Sequence, residues 1–152
     1  MRISVTTVQA KIPLAQAKIC ALARAAALRL DPKQGLSLSQ VSIIFVNDEE
    51  IARINQQFLR HQGPTDVISF IYSLPPPHKN GSDRVGEIII SVPQARAQAR
   101  RFRRPVAEEL IRYIVHGLLH FSGYNDATPQ QRRKMRQAEN KLLKEIQLQG
   151  KS

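Results

Sequence analysis

The sequence has a single cysteine, no tryptophan and few other aromatic residues. Its one thiol, Cys20, excludes an internal disulfide framework and a zinc site built from several thiolates. With only five Phe and three Tyr residues and no Trp, extensive stacking of nucleic-acid bases is not indicated. The function therefore has to be sought in other side chains.

Long apolar runs are also missing. No stretch approaches the ~20 consecutive apolar residues of a membrane-spanning helix, and the N-terminal residues lack the charged and then apolar profile of a signal peptide. These absences predict a cytoplasmic protein that does not associate with membranes. At 152 residues, of which 42% are hydrophobic, the chain is expected to form a single domain over residues 1–152.

The most informative segment runs from His116 to Asp126 and has the pattern H-x3-H-x2-G-x2-D. On a helix, His116 and His120 lie one turn apart on the same face, so their rings can converge on one ion. Gly123 can adopt the left-handed conformation that ends a helix and reverses the chain, which would return Asp126 as a third ligand. Two imidazoles and a carboxylate with an open fourth position are typical of catalytic zinc, although other divalent metals use similar sets.

Each part of this pattern also has an ordinary structural explanation. Two histidines at this spacing are more often surface or core residues than ligands, and Gly123 alone is a helix stop. Asp126 alone is a loop acid or a cap for the next helix. The joint pattern favours a metal site, because the helix around the histidines is nearly all apolar and an unpaired imidazole there would lose solvation without a partner.

Position 117 indicates what kind of metal site this is. Zinc peptidases of the H-E-x-x-H type place a glutamate directly after the first histidine, as the general base for the attacking water. The residue here is Gly117, which has no side chain to take a proton. Peptide hydrolysis by that route is therefore disfavoured, and a phosphodiester suits the site better, because stabilising charge is much of what phosphoryl chemistry demands.

Several segments of the chain carry motifs of one known family. The first is H-G-L-L-H-F-S-G-Y-N-D at residues 116–126, beside the family pattern H-G-x-L-H-L-x-G-Y-D-H. The others are Asn55 and Phe58 followed by P-T-D-V-I-S-F at residues 64–70, G-E-I-I-I-S at residues 86–91, and Met135 and Glu139 in the last predicted helix. In these motifs, over roughly residues 41–145, the chain resembles the YbeY-type single-strand endoribonucleases of bacteria.

The resemblance implies a metal-dependent endoribonuclease that acts on single-stranded RNA and uses no small-molecule cofactor. It further implies a role in maturation of ribosomal RNA and in ribosome quality control, with the ribosome or its small subunit as partner. The implied fold is α+β, a mixed four-stranded sheet packed with helices.

The chain departs from the family pattern at two places. Asp126 replaces the usual third histidine, with Asn125 where an aspartate is common, and a carboxylate is an accepted zinc ligand. The arginine that usually follows the asparagine by four residues is Leu59, with Arg60 and His61 after it. We predict that Arg60 or His61 neutralises phosphate charge in the transition state. Thr65, Asp66 and Ser69 are expected to shape the groove wall, or else to serve only the turn and strand.

Basic residues outnumber acidic ones by 23 to 12, for a formal net charge of +11. A field of this sign attracts polyanions and makes their binding dependent on salt. Two clusters flank the histidine segment: Arg96, Arg100, Arg101, Arg103 and Arg104 around Phe102, and Arg132, Arg133, Lys134 and Arg136. Either cluster alone is more typical of a solvated helix face. Together they predict a phosphate-tracking groove, with Arg100, Arg101, Arg103 and Arg104 as RNA contacts.

Hydrophobic periodicity and turn residues predict the order β-α-β-α-β-β-α-α-α. The strands are expected at residues 3–8, 41–46, 67–72 and 86–92. The helices are expected at residues 13–30, from a cap at Asn47 or Asp48, and at residues 93–103, 106–121 and 129–148, with Thr128 and Gln131 as a capping box for the last. The helix at 106–121 is expected to be central, mostly buried and the carrier of the metal ligands.

Three other classes of function share parts of this pattern. An RNA- or ribosome-binding factor with a structural metal would have a closed fourth position and would unfold without the metal. A zinc peptidase is opposed by Gly117 and by the basic charge. A non-haem iron oxygenase uses two histidines and a carboxylate, but nothing else in the sequence indicates a cosubstrate pocket.

Overall fold

The computed structural model describes residues 1–30, 38–59, 66–74 and 84–149. In chain order the elements are β1 (Arg2–Val8), α1 (Gln16–Arg29), β2 (Gln40–Val46), α2 (Asp48–Leu59), β3 (Val67–Ser73), β4 (Arg84–Ser91), α3 (Val92–Phe102), α4 (Val106–Phe121) and α5 (Pro129–Gln149). The predicted order is confirmed. The largest shift in a helix start is in α1, which begins at Gln16 and not at Pro13, after an alanine N-cap that offers no side-chain hydrogen bond.

The described strands form a mixed four-stranded sheet in the order β1-β2-β4-β3. Strand β2 pairs in parallel with β1 and β4, whereas β3 runs antiparallel to β4. Between the parallel strands β1 and β2 the chain passes through α1, and between β2 and β4 it passes through α2 and β3. Strand β3 lies at the end of the strand order, beside β4, which directly follows it in the chain. This arrangement confirms the α+β fold with a mixed sheet.

Strand β4 is buried on both faces of the sheet, and its side chains alternate between two hydrophobic clusters. Ile88 and Ile90 belong to the larger cluster, which the sheet forms with α1, α3, α4 and α5. Ile89 points the other way, into a smaller cluster with Ile51 of α2. The continuous apolar run of β4 is what a strand covered on both faces requires.

Helix α4 is the central helix, as predicted. It contacts α1, α3 and α5 as well as β3 and β4, and most of its residues are buried. Ligands on a packed helix keep their geometry better than ligands on a loop, so α4 provides a firm support for a site. None of the described helices is long and apolar enough to cross a membrane.

Side chains at the helix starts explain where several elements begin. The Asn47 side chain accepts a hydrogen bond from the Glu50 amide at 2.9 Å, which makes Asn47 the cap of α2. Ser91 ends β4 and caps α3 by accepting from the Gln94 amide at 3.2 Å. The predicted capping box of α5 is confirmed, since Gln131 N donates to Thr128 Oγ1 at 3.1 Å and Gln131 Oε1 accepts from Thr128 N at 3.1 Å.

Candidate metal centre

Three potential ligand atoms converge at the C-terminal end of α4. His116 Nε2 and His120 Nε2 are 3.0 Å apart. Asp126 Oδ2 lies 3.4 Å from the first and 3.3 Å from the second. Two atoms bound tetrahedrally to zinc at ~2.0–2.1 Å are about 3.3 Å from each other, so the triangle has the size that a shared zinc ion requires.

The opposite nitrogens of the two rings determine which protons the site holds. His116 Nδ1 lies 2.6 Å from Glu139 Oε2, and His120 Nδ1 lies 3.0 Å from the Tyr124 carbonyl oxygen. Both oxygens accept hydrogen bonds, so both Nδ1 atoms carry the proton. In the neutral rings the two Nε2 atoms are then unprotonated, and their lone pairs point toward each other and toward a carboxylate.

This arrangement of acceptors needs a positive charge between them. If either neutral ring carried its proton on Nε2, its Nδ1 lone pair would face an oxygen lone pair instead of donating to it. An extra proton or a divalent cation resolves the conflict, and a cation satisfies all three atoms at once. The donor set therefore fits a divalent metal, with the carboxylate admitting ions harder than zinc.

The electrostatics of His116 agree with this account. Burial acts to lower the pKa of His116, but the hydrogen bond to Glu139 and the negative charges of Glu139, Asp126 and Asp66 outweigh burial and raise it. Without a metal, the site holds a proton more firmly than a free imidazole does. The surroundings of His116 thus favour positive charge at this point.

The chain after α4 turns back so that Asp126 reaches the two rings. Gly123 has a φ of 107°, a backbone conformation that side-chain-bearing residues rarely adopt, as predicted for the reversal. Arg132 of α5 then donates to the carbonyl oxygens of Asp126 and Ala127 at 3.4 and 3.2 Å, which holds the loop in place. Thr128 provides the cap of α5, so Asp126 is not needed for that purpose.

Close packing of α4 on β4 explains why residue 117 is a glycine. A Cβ at this position would lie 2.7 Å from Ile88 Cδ1 and 2.8 Å from Ile88 Cγ1, because α4 packs closely on β4. Any side chain at this position would therefore displace Ile88.

The predicted RNA contacts lie at the junction of α3 and α4 and are exposed: Arg100, Arg101, Arg103 and Arg104. Arg104 also forms an ion pair with the buried Glu109 at 3.2 Å. Phe102 lies close to two of these cations, with the guanidinium carbons of Arg101 and Arg104 each 5.5 Å from its ring centroid. One of the four predicted RNA contacts, Arg104, is therefore already paired with a carboxylate of the protein.

The other predicted site residues fall partly outside the described chain. Arg60, His61 and Thr65 lie outside the described residues. Asp66 is described, and its charge contributes to the raised pKa of His116, which places it near the metal centre. Its Oδ1 accepts from the Val67 amide at 2.9 Å, so the carboxylate also serves the start of β3.

The role of Glu139 at the centre was not predicted, although the sequence indicated that this position is family-like. Oε2 of its carboxylate forms a hydrogen bond with His116 Nδ1, and Oε1 accepts a hydrogen bond from Arg112 Nη1 at 3.4 Å. Glu139 is only 8% exposed, so this network lies inside the protein. The available signal in the sequence was the match of Met135 and Glu139 to the last helix of the family.

Comparisons with known proteins agree with the fold and the motifs. The family model described as Endoribonuclease YbeY matches residues 4–147. An Endoribonuclease YbeY of Phocaeicola vulgatus is 38% identical over 115 residues, which cover 75% of this chain and 78% of that one. An Endoribonuclease YbeY of Flavobacterium psychrophilum is 41% identical over 108 residues, covering 71% of this chain and 73% of that one.

A solved structure shows the same fold at lower sequence similarity. The solution structure of a protein from Thermotoga maritima superposes with a TM-score of 0.62 at 22% identity, over 98% of this chain and 91% of that one. At this identity the likeness concerns the fold alone.

Proposed function

The chain belongs to the YbeY family of endoribonucleases, and on that premise we propose that it is a metal-dependent endoribonuclease specific for single-stranded RNA. One observation carries the metal dependence: His116 Nε2, His120 Nε2 and Asp126 Oδ2 face one another, while each Nδ1 atom lies within hydrogen-bond distance of an oxygen that can accept its proton. The proposed ion is zinc, because two histidines and one carboxylate form a known catalytic zinc set.

Some residues of the proposed centre would bind the metal and orient its ligands, and Asp126 leaves one side accessible to the substrate. His116, His120 and Asp126 would hold a divalent cation, which would supply positive charge for a phosphate oxygen and would make bound water more acidic. Glu139 and the Tyr124 carbonyl fix the orientation of the two rings through their Nδ1–H groups. Asp126 is 46% exposed, so one side of the centre is open to a phosphodiester from solvent.

We further propose that the substrate is ribosomal RNA, in maturation and in ribosome quality control, with the ribosome or its small subunit as partner. The relatives are named endoribonucleases, which supports RNA as the substrate. The formal net charge of +11 supports association with a large polyanion such as the ribosome.

Metal content and cleavage of single-stranded RNA by one preparation test the proposal. The purified protein is expected to carry close to one equivalent of divalent metal and to cleave a single-stranded oligoribonucleotide. Chelation should abolish cleavage, and adding back zinc should restore it. Cleavage that persists at full rate after the metal has been removed would contradict the metal-dependent mechanism.

Arg60 or His61 is proposed to stabilise the transition state. The double variant Arg60→Ala, His61→Ala should lower kcat by about a hundredfold while changing RNA affinity much less, because charge that matters only in the transition state leaves ground-state binding intact. Single-turnover rates and equilibrium binding separate the two effects. Arg53→Ala, which removes an exposed arginine from α2, is the control and should retain the wild-type rate. If the double variant cleaves RNA as fast as the wild type, neither Arg60 nor His61 stabilises the transition state.

The four arginines at the α3–α4 junction are proposed to contact phosphates. Affinity for single-stranded RNA should fall steeply with salt, and replacing Arg100, Arg101, Arg103 and Arg104 by Ser should reduce the slope of log affinity against log salt by about two to three. The upper end assumes that Arg104 still reaches a phosphate despite its ion pair with Glu109. Fluorescence anisotropy at several salt concentrations measures the slope.

A second quadruple variant separates specific contacts from net charge. Arg2, Arg24, Arg53 and Lys141 lie exposed on other parts of the surface, on β1, α1, α2 and α5. Replacing these four by Ser changes the net charge equally but should leave the slope close to that of the wild type, because the salt slope counts the phosphates that are contacted. Equal slopes for the two quadruple variants would refute the assignment of the groove to the α3–α4 junction.

A further inference from the structure

A cavity adjoins the candidate metal centre and shares Glu139 with it. This cavity, of about 300 Å³, lies between the C-terminal part of α3, α4, α5 and the residue that precedes β3. Glu139 lines the cavity while its Oε2 accepts from His116, and Arg112, another lining residue, donates to Glu139 Oε1 at 3.4 Å. A group that binds Arg112 in the cavity is therefore linked to the candidate ligand His116 through Arg112 and Glu139.

Phe102 lines the rim of this cavity and is 53% exposed. Arg101 precedes Phe102 in the sequence and Arg104 follows it by two residues. The guanidinium carbon of each lies 5.5 Å from the centroid of the Phe102 ring. The turn that presents it passes through Arg103 at φ 54°, a left-handed conformation in which glycine is usual. An exposed aromatic face beside arginines is the arrangement on which single-stranded nucleic acids stack their bases.

Two polar atoms of the cavity residues have no hydrogen-bond partner among the residues that the structure describes. Arg112 Nε and the Tyr113 hydroxyl are buried and make no hydrogen bond within the described part of the chain. Tyr113 as a whole is only 7% exposed. Buried polar groups are nearly always paired, and both of these groups can donate a hydrogen bond. A ligand that offers acceptor atoms would satisfy them.

The charges around the cavity favour a neutral ligand over a phosphate. Its basic residues are Arg104, Arg112 and Arg136, and its acidic residues are Asp66, Glu109 and Glu139. A phosphate group would meet as many carboxylates as guanidinium groups. A nucleobase has no net charge and presents both donors and acceptors along its edge, which suits this mixed lining.

We propose that this cavity binds one base of the RNA substrate, with the Phe102 ring stacked on its face and the Tyr113 hydroxyl and Arg112 Nε donating to acceptor atoms of its edge. The proposal rests on the proposed function in taking RNA as the ligand. A base held here, beside Glu139, sets which phosphodiester of the strand reaches the metal centre. The small number of aromatic residues in the chain agrees with a single stacked base.

Binding of two oligomers with equal phosphate content tests the proposal without relying on cleavage. The probes are a single-stranded hexaribonucleotide and a hexamer of the same length in which every residue is abasic, both labelled for fluorescence anisotropy. Phe102→Leu should weaken binding of the base-containing hexamer by about fivefold or more and leave the abasic hexamer unaffected. Because no charge changes, the salt slope should equal that of the wild type.

Tyr72→Leu is the matched control, since it removes another exposed aromatic ring from β3, on the face of the sheet that carries α2. It should leave the affinity of both hexamers unchanged. Equal affinities of the Phe102→Leu and wild-type proteins for the base-containing hexamer, or an equal loss in Tyr72→Leu, would overturn the base site. If the wild type binds neither hexamer, the proposed function itself fails, and the base site fails with it.

Tyr113→Phe separates recognition from folding. The hydroxyl is buried and has no hydrogen-bond partner in the described part of the chain, so its removal should leave the melting temperature unchanged or raise it. Affinity for the base-containing hexamer should nevertheless fall severalfold, with no change for the abasic one. A variant that keeps full affinity for both hexamers would remove Tyr113 from the proposed site, and a parallel loss for both would show that the hydroxyl does not recognise a base.

Discussion

His120→Ala protein is expected to purify without divalent metal and to cleave RNA about a thousandfold more slowly than wild type, or not at all. The side chain supplies one of the three converging atoms, with Nε2 at 3.0 Å from His116 Nε2 and 3.3 Å from Asp126 Oδ2. A catalytic metal contributes several kcal/mol of transition-state stabilisation, and each 1.36 kcal/mol is tenfold in rate. Metal analysis and single-turnover cleavage on the same preparation measure both effects.

The same variant should remain folded. Helix α4 is held by apolar packing, with Leu110, Ile114 and Leu118 almost completely buried against the sheet and the neighbouring helices. Loss of the hydrogen bond from His120 Nδ1 to the Tyr124 carbonyl removes only about 0.5–1.5 kcal/mol of stability. A cooperative thermal transition within a few degrees of wild type is therefore expected. Unfolding on loss of the metal would instead support the alternative of an RNA-binding factor with a structural metal.

Changes at Asp126 provide the matched control for His120→Ala. Asp126→His restores the usual family residue and keeps a competent ligand, so metal should remain bound. Asp126→Ala removes both a ligand and a compensating negative charge and should weaken metal binding. Wild-type metal affinity in Asp126→Ala would show that the 3.3–3.4 Å approach of its carboxylate to the two rings has no part in holding the ion.

The local features of the site were predictable because they depend on residues close together in sequence. The spacing of His116 and His120 places them on one face of a helix, and Gly123 predicts the reversal that returns Asp126. The positive φ of Gly123 and the convergence of the three ligand atoms agree with that prediction. The periodicity of the apolar residues likewise predicted α4 over the residues at which it is found.

The features that were missed depend on how distant elements pack. Glu139 is 23 residues from His116, and only the contact of α5 with α4 brings its carboxylate to the ring. The clash that requires Gly117 involves Ile88 of β4, which no local pattern reveals. Likewise, the sequence predicts Arg104 as an RNA contact and does not reveal its ion pair with Glu109. Nor does it reveal that Arg132, in the second cluster, donates to the loop of Asp126. Charge composition predicts a field but not the partner of each charge.

Glu139 is the residue whose importance rests entirely on this packing, and its replacement is expected to weaken metal binding. Its carboxylate accepts the Nδ1–H of His116, which fixes the ring and raises the basicity of Nε2, the atom that faces the other ligands. Glu139→Gln keeps an oxygen that can accept this hydrogen bond but removes the negative charge. Loss of such a partner typically lowers metal affinity by about tenfold to a hundredfold.

We therefore expect metal affinity to fall by about tenfold in Glu139→Gln and toward a hundredfold in Glu139→Ala. The alanine variant loses more because the ring is no longer oriented and Arg112 loses an ion-pair partner inside the protein. Competition with a chromogenic chelator measures the affinities. Glu145→Gln makes the same chemical change on the same helix, at a carboxylate that pairs with Arg29, and should bind metal as wild type does. If Glu139→Gln and Glu145→Gln bind metal equally well, the Glu139 carboxylate is a structural ion-pair partner of Arg112 and has no effect on the ligand His116.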